Sequence, residues 1–155
     1  IPKNSITKLK HNQCNLFIYC GHGAGEKICD SNLLRKFYCP AALLWGCSSG
    51  HLPIKGVHDP YGSALQYLMN GAPYVVANLW DVTDKDIDKL SVECMKTVFS
   101  GSGSGSGKNK SSGSSKDADT LATALMESRG VCKMSHAVGS APVIYGLPTK
   151  TDLYS

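Results

Sequence analysis

The chain has 155 residues, 42% hydrophobic and 18% charged, which is enough apolar length for one domain with a buried core. Sixteen Lys and Arg against twelve Asp and Glu leave a formal charge of +4, but the lysines are scattered and form no basic stripe interleaved with aromatics, so no nucleic-acid partner is expected. Seven cysteines without a CxxC pair argue against a secreted disulfide framework and against a zinc knuckle, and neither a signal-like opening nor an apolar run of spanning length is present, so the reading is an intracellular chain with free thiols, no membrane and no metal.

Residues 1–13 carry weak periodicity (Ile6, Leu9) that suits a helix or a lead-in loop equally. The first firm element is Asn15–Cys20, a continuous apolar run that predicts a strand covered on both faces in a parallel sheet. It stops at Gly21-His22-Gly23-Ala24-Gly25-Glu26, and Ser31–Tyr38 then reads as a short helix bounded by Pro40. Ala41–Trp45 predicts a second buried strand, which delivers Cys47 to a turn of small residues ending at Gly50. After a loop holding Pro53 and Gly56, Asp59-Pro60 reads as an N-cap with proline in the first helical position; the helix buries Ala64, Leu65, Leu68 and Met69 and ends at Gly71.

Pro73–Trp80 predicts a third strand, ending at Asp81. Thr83 and Asp86 have capping-box spacing, and Ile87, Leu90, Cys94 and Val98 mark one face of the helix that follows. The repeat of strand, loop and helix gives an α/β class with right-handed crossovers. Residues 100–116 are a Gly/Ser linker of engineered regularity, in place of a longer natural loop, with no function of its own. A helix from Asp117 to about Ser128 turns Leu121, Ala124 and Leu125 inward, and Ala141–Pro148 reads as a short strand and a turn.

The three predicted strands end at His22, Cys47 and Asp81, on the edge of a parallel sheet where ligands collect. Cys47 as thiolate is a nucleophile, His22 a proton donor and acceptor, and the N–H groups of Gly23 and Cys47 are the natural donors to an oxyanion. Simpler readings exist for each residue alone. A cysteine after an apolar run is ordinarily a small core residue, and a histidine between glycines a loop histidine. GHGAG also resembles a phosphate-cradling turn, although it lacks the lysine of a P-loop. Their occurrence at successive strand ends favours a shared site. His51 and His58 read as loop residues, the other six cysteines as structural, and Asp84, Asp86 and Asp88 as first-turn carboxylates favoured by the helix dipole.

Four segments taken in order, Tyr19–Gly25 (YCGHGAG), Gly46–Gly50 (GCSSG), Asn78–Asp88 (NLWDVTDKDID) and Ala141–Pro148 (APVIYGLP), resemble the C-terminal protease domain of separases. The resemblance covers residues 15–99 and the C-terminal end. It implies a caspase-like α/β fold, a parallel sheet with flanking helices, here lacking the N-terminal strands of the full fold, so that residues 1–155 form part of a protease domain. It further implies a cofactor-free Cys-His endopeptidase that cuts the kleisin subunit of cohesin at anaphase onset to release sister chromatids. Securin would be its pseudosubstrate inhibitor, and cytoplasm and nucleus its location. By resemblance His22 is the catalytic histidine and Cys47 the nucleophile. The family cleaves after arginine, with an acidic residue upstream, and an arginine pocket needs a carboxylate for bidentate pairing. Asp81 is the first candidate, followed by Asp88 and Asp84. The alternatives are a non-catalytic fragment or scaffold that binds securin, and a phosphate-binding loop at GHGAG.

Overall fold

The computed structural model describes residues 14–26, 38–100 and 121–148. The expectations for residues 1–13, for a helix beginning at Ser31 and for the Gly/Ser linker beyond Ser100 lie outside them. Among the described residues four strands, β1 (Leu16–Tyr19), β2 (Ala41–Leu44), β3 (Tyr74–Asn78) and β4 (Pro142–Gly146), form one sheet in the order β1-β2-β3-β4. The first three are parallel, with Ile18 opposite Leu43 and Leu43 opposite Val76. The fourth is antiparallel to β3, which the strand pattern alone did not predict. Its direction follows from where the chain arrives. Leu79 N–H donates to the Ala141 carbonyl at 2.9 Å, so the chain reaches the finishing end of β3 and can only run back along it.

β2 and β3 are buried along their whole length, as near-continuous apolar strands between two helical layers must be. Alternation along the pleat divides their side chains between two cores. Leu43 and Val76 meet Leu90, Cys94, Leu121 and Leu125 on one face, while Leu44, Val75 and Ala77 meet Ala64 and Tyr67 on the other. β1, with one strand neighbour among the described residues, is only half-buried and leaves Ile18 38% exposed, so the expectation of a strand covered on both faces does not hold among them.

Helix α1 (Ser63–Met69) begins later than the Asp59-Pro60 signal implied, with extended Gly62 at its N-cap. A Cβ on Gly62 would collide with the His51 carbonyl, so the chain can enter the helix here only through glycine. Its inward face is Ala64 and Tyr67 rather than Leu65 and Met69, because Tyr67 stacks on Phe17 of β1 with ring centroids 6.1 Å apart, while Met69 stands 74% exposed. Helix α2 (Asp84–Ser100) buries Ile87, Leu90 and Cys94 with Val98 packed beside them, the face read from the sequence. Asp86 closes no capping box. It is buried, and its carboxylate accepts the Met134 N–H at 3.2 Å, tying the helix start to the turns before β4. Helix α3 (Leu121–Ser128) turns Leu121, Ala124 and Leu125 inward as expected and passes into a single 3-10 turn, Arg129–Val131. Among the described residues no helix is long and apolar enough to cross a membrane.

Candidate active site

The loop after β1 owes its shape to two glycines in the left-handed region, Gly23 (φ +64°) and Gly25 (φ +77°), between which Ala24 is buried. Tyr19 donates its hydroxyl to the His22 carbonyl at 2.9 Å. Glu26 closes the loop by accepting the Ala24 N–H (3.2 Å) and the Ser63 hydroxyl at the start of α1 (2.9 Å), so a carboxylate stands where a phosphate cradle would present amides. The loop after β2 lies directly against it. A Cβ on Gly46 would overlap the carbonyl oxygens of Gly21 and Gly23, so the two strand ends meet backbone to backbone. This contact carries His22 and Cys47 to the same side of the sheet.

Cys47 and Ser48 rest on the segment that leaves β3. The Cys47 thiol donates to the Val82 carbonyl at 3.1 Å, the Ser48 N–H to the Trp80 carbonyl at 3.1 Å, and the Ser48 hydroxyl to the Asp81 carboxylate at 2.6 Å. From below, fully buried Asn78 donates its side-chain amide to the carbonyls of Trp45 and Gly46, both at 3.0 Å. Ser49 bridges the same strands, donating to the Leu44 carbonyl (2.8 Å) and accepting the Asn78 N–H (3.0 Å). Tyr145 of β4 donates to the Gly50 carbonyl at 2.7 Å, and burial raises its phenol above the ordinary tyrosine value.

A cavity of about 260 Å³ opens between these loops and α2, lined by Cys20, Gly21, His22, Trp45, Cys47, Asp84, Ile87 and Asp88. Cys47 and His22 therefore line one cavity together with Asp84 and Asp88, which at spacing i and i+4 stand on one side of a helix. Desolvation raises the Cys20 thiol above its ordinary value, and the Asp88 charge raises it further, so the field of that carboxylate reaches into the cavity. Asp81 is not among the lining residues; its carboxylate is held by Ser48. His51 and His58 are exposed and stand apart from the cavity. Cys39, Cys94 and Cys132 are buried; burial pushes the Cys94 thiol up to about 11, against a smaller opposing effect of its hydrogen bond with Ser128. Among the described residues no group of three or more His, Cys, Asp or Glu side chains is placed to hold a metal ion.

Sequence reasoning did not single out Trp45, Cys20 and Ile87 as cavity wall, nor Asn78 and Ser48 as supports. Asn78 had a signal, an amide inside the apolar run Val75-Val76-Ala77-Asn78-Leu79, where a buried polar group must find partners. Ser48, whose backbone is left-handed (φ +51°), had none.

A family model described as the separin protease domain matches residues 2–87, more than half of the chain. Separin of Saccharomyces cerevisiae is 41% identical over 150 residues, covering 96% of this chain and 9% of that protein. Separin of Schizosaccharomyces pombe is 42% identical over 137 residues (86% and 7%), and mouse separin 36% identical over 135 residues (86% and 6%). Two crystal structures of the Saccharomyces cerevisiae separase-securin complex superpose with TM-scores of 0.75 and 0.73, each at 38% identity over 94% of this chain and 9% of that one. The chain thus spans less than a tenth of the length of these relatives.

Proposed function

The chain belongs to the separin protease-domain family, a family of cysteine proteases, and from that premise we propose that Cys47 and His22 form the dyad of an endopeptidase cleaving after arginine. The observation that supports this most is the shared cavity, which Cys47, His22, Asp84 and Asp88 all line. In the resting state the thiol proton lies against the Val82 carbonyl. His22 accepts it, the thiolate adds to the scissile carbonyl carbon, and the charge on the carbonyl oxygen is met by the N–H groups of Cys47 and Gly23. Collapse of the adduct breaks the C–N bond as the imidazolium returns its proton to the departing amine. Water then hydrolyses the thioester with His22 as base, regenerating the thiol. Asp88 and Asp84 take the arginine guanidinium, for which a rigid fork of donors and a carboxylate are matched partners. The substrate is the cohesin kleisin and the site of action cytoplasm and nucleus.

The test is a peptide ending in arginine with a carbonyl electrophile, applied to wild type, Cys47→Ser and His22→Ala. Labelling confined to Cys47, lost in Cys47→Ser and slowed in His22→Ala, is expected; labelling elsewhere, or indifferent to His22, overturns the assignment. A second reading, a scaffold that binds securin, is favoured by the similarity to chains solved in a separase-securin complex. It predicts securin capture by the chain with no Cys47-dependent cleavage of an arginine peptide in the absence of securin.

A further inference from the structure

We infer that Asp81 is a positioning residue for Cys47, acting through Ser48 and not on the substrate. The inference rests on the proposed role of Cys47 and concerns what keeps that thiol in place. Ser48 has φ +51°, and among the described residues it is the one non-glycine residue in the left-handed region. A serine does not stay there unaided, because its Cβ crowds the neighbouring carbonyl; surrounding bonds must hold it. Three do so. Its N–H is fixed by the Trp80 carbonyl at 3.1 Å, its carbonyl accepts the His51 N–H at 3.0 Å, and its hydroxyl makes a short, charge-assisted bond of 2.6 Å to Asp81. The next residue along, Val82, accepts the Cys47 thiol at 3.1 Å, so three consecutive residues form a seat for the turn that carries the thiol.

That seat is itself anchored. The Trp80 indole donates to the Ala137 carbonyl at 2.9 Å, and the Leu79 N–H to the Ala141 carbonyl at 2.9 Å. With the seat fixed, the bond from Asp81 decides whether Ser48 remains left-handed. If Ser48 relaxes to an ordinary conformation, the peptide between Cys47 and Ser48 turns with it, and the Cys47 thiol leaves its seat on the Val82 carbonyl beside the cavity. Asp81, outside the cavity lining, is engaged in this task.

The experiment compares Asp81→Ala, Asp81→Asn, Ser48→Gly and the double variant Ser48→Gly/Asp81→Ala in the full-length protein. It reads kcat and KM on an arginine peptide and its lysine counterpart, the rate of Cys47 alkylation, and the melting temperature. Losing the support of a strained residue should lower kcat in Asp81→Ala by about tenfold or more, with KM within about twofold. Asp81→Asn, whose amide oxygen still accepts from Ser48, should keep most of the activity. The decisive case is the double variant, because glycine adopts a positive φ without strain. It should recover to within a few-fold of Ser48→Gly alone.

Three results overturn the inference: a double variant no better than Asp81→Ala; an Asp81→Asn as damaged as Asp81→Ala with KM raised and arginine preference lost, which marks a substrate contact; or a lowered melting temperature with kcat unchanged, which marks a purely structural bond. Failure of the catalytic reading is seen separately, as wild-type protein without Cys47-dependent cleavage. In that case alkylation of Cys47 in Asp81→Ala against the double variant still decides whether Asp81 positions the thiol.

Discussion

Asn78 holds Gly46 from 32 residues away in the chain: its side-chain amide donates to the Gly46 carbonyl at 3.0 Å while serving the Trp45 carbonyl at the same distance. Both carbonyls lie just before Cys47, and Asn78 is fully buried, so no water replaces the bonds if the amide is removed. Asn78→Ala should leave the buried Trp45 carbonyl without a partner and the Gly46 carbonyl with only the longer bond from the Ser49 N–H at 3.3 Å, and cost about 1 to 3 kcal/mol. The check is a lower urea midpoint at unchanged slope, together with slower alkylation of Cys47 under native conditions. Asn78→Asp should be worse still, since it sets an acceptor and a buried charge against two carbonyls.

Gly46→Ala tests the contact between the two strand ends. The added methyl would overlap the carbonyl oxygens of Gly21 and Gly23, and because both obstacles are backbone, no side-chain rotamer relieves the clash. Overpacking of this kind costs about 1 to 3 kcal/mol, and relief requires the His22 loop to move away from Cys47. The expected outcome is therefore a folded but destabilised protein with arginine-peptide cleavage lost, whereas Gly130→Ala, where a Cβ meets nothing within 4 Å, should leave cleavage unchanged.

What the sequence displayed well were features with a period or a strong local signal. Ile87, Leu90, Cys94 and Val98 announced the buried face of α2, and the apolar runs ending at His22 and Cys47 announced two neighbouring strand ends. What it concealed depended on partners far along the chain. Asp59-Pro60 is a sound helix start by local rules, yet α1 begins only after Gly62, where the His51 carbonyl leaves no room for a side chain. Thr83 and Asp86 have capping-box spacing, but Met134, 48 residues on, takes the Asp86 carboxylate. Asp81, Asp84 and Asp88 are indistinguishable as acidic residues near a strand end. The direction of the helix turns Asp84 and Asp88 to the cavity, and Ser48 engages Asp81.

Asp88 can be examined through two independent readouts. If its carboxylate pairs with an arginine guanidinium, Asp88→Asn forfeits a charged hydrogen bond worth about 1.5 to 3 kcal/mol, so KM for an arginine peptide should rise by roughly ten- to a hundredfold. Cys20 gives the second readout without any substrate. Burial is the larger cause of its raised thiol and the Asp88 charge the smaller. In Asp88→Asn the pH midpoint of Cys20 alkylation, followed by mass spectrometry, should move down but remain above the ordinary thiol value of 9.0, since burial persists. An unmoved midpoint would place the Asp88 charge too far from the cavity to hold a guanidinium there.

Alkaline pH should loosen the core through Cys94. Burial raises its thiol from 9.0 to about 11, so the folded state favours the protonated form and the unfolded chain releases the proton first as pH rises. The stabilisation this linkage represents is complete below pH 9 and disappears as pH climbs from 9 to 11, a loss of about 2 to 3 kcal/mol from one group. Cys132 and Tyr145, also raised by burial, push in the same direction at the same alkaline end. Cys94→Ala removes one titrating group and leaves a small cavity, so the variant should start less stable at pH 7.5 and then lose less than wild type on the way to pH 10.5. Urea midpoints measured across that range decide the matter: two curves that stay parallel would mean that Cys94 exchanges no proton on unfolding, and that the alkaline weakness lies in the other buried groups.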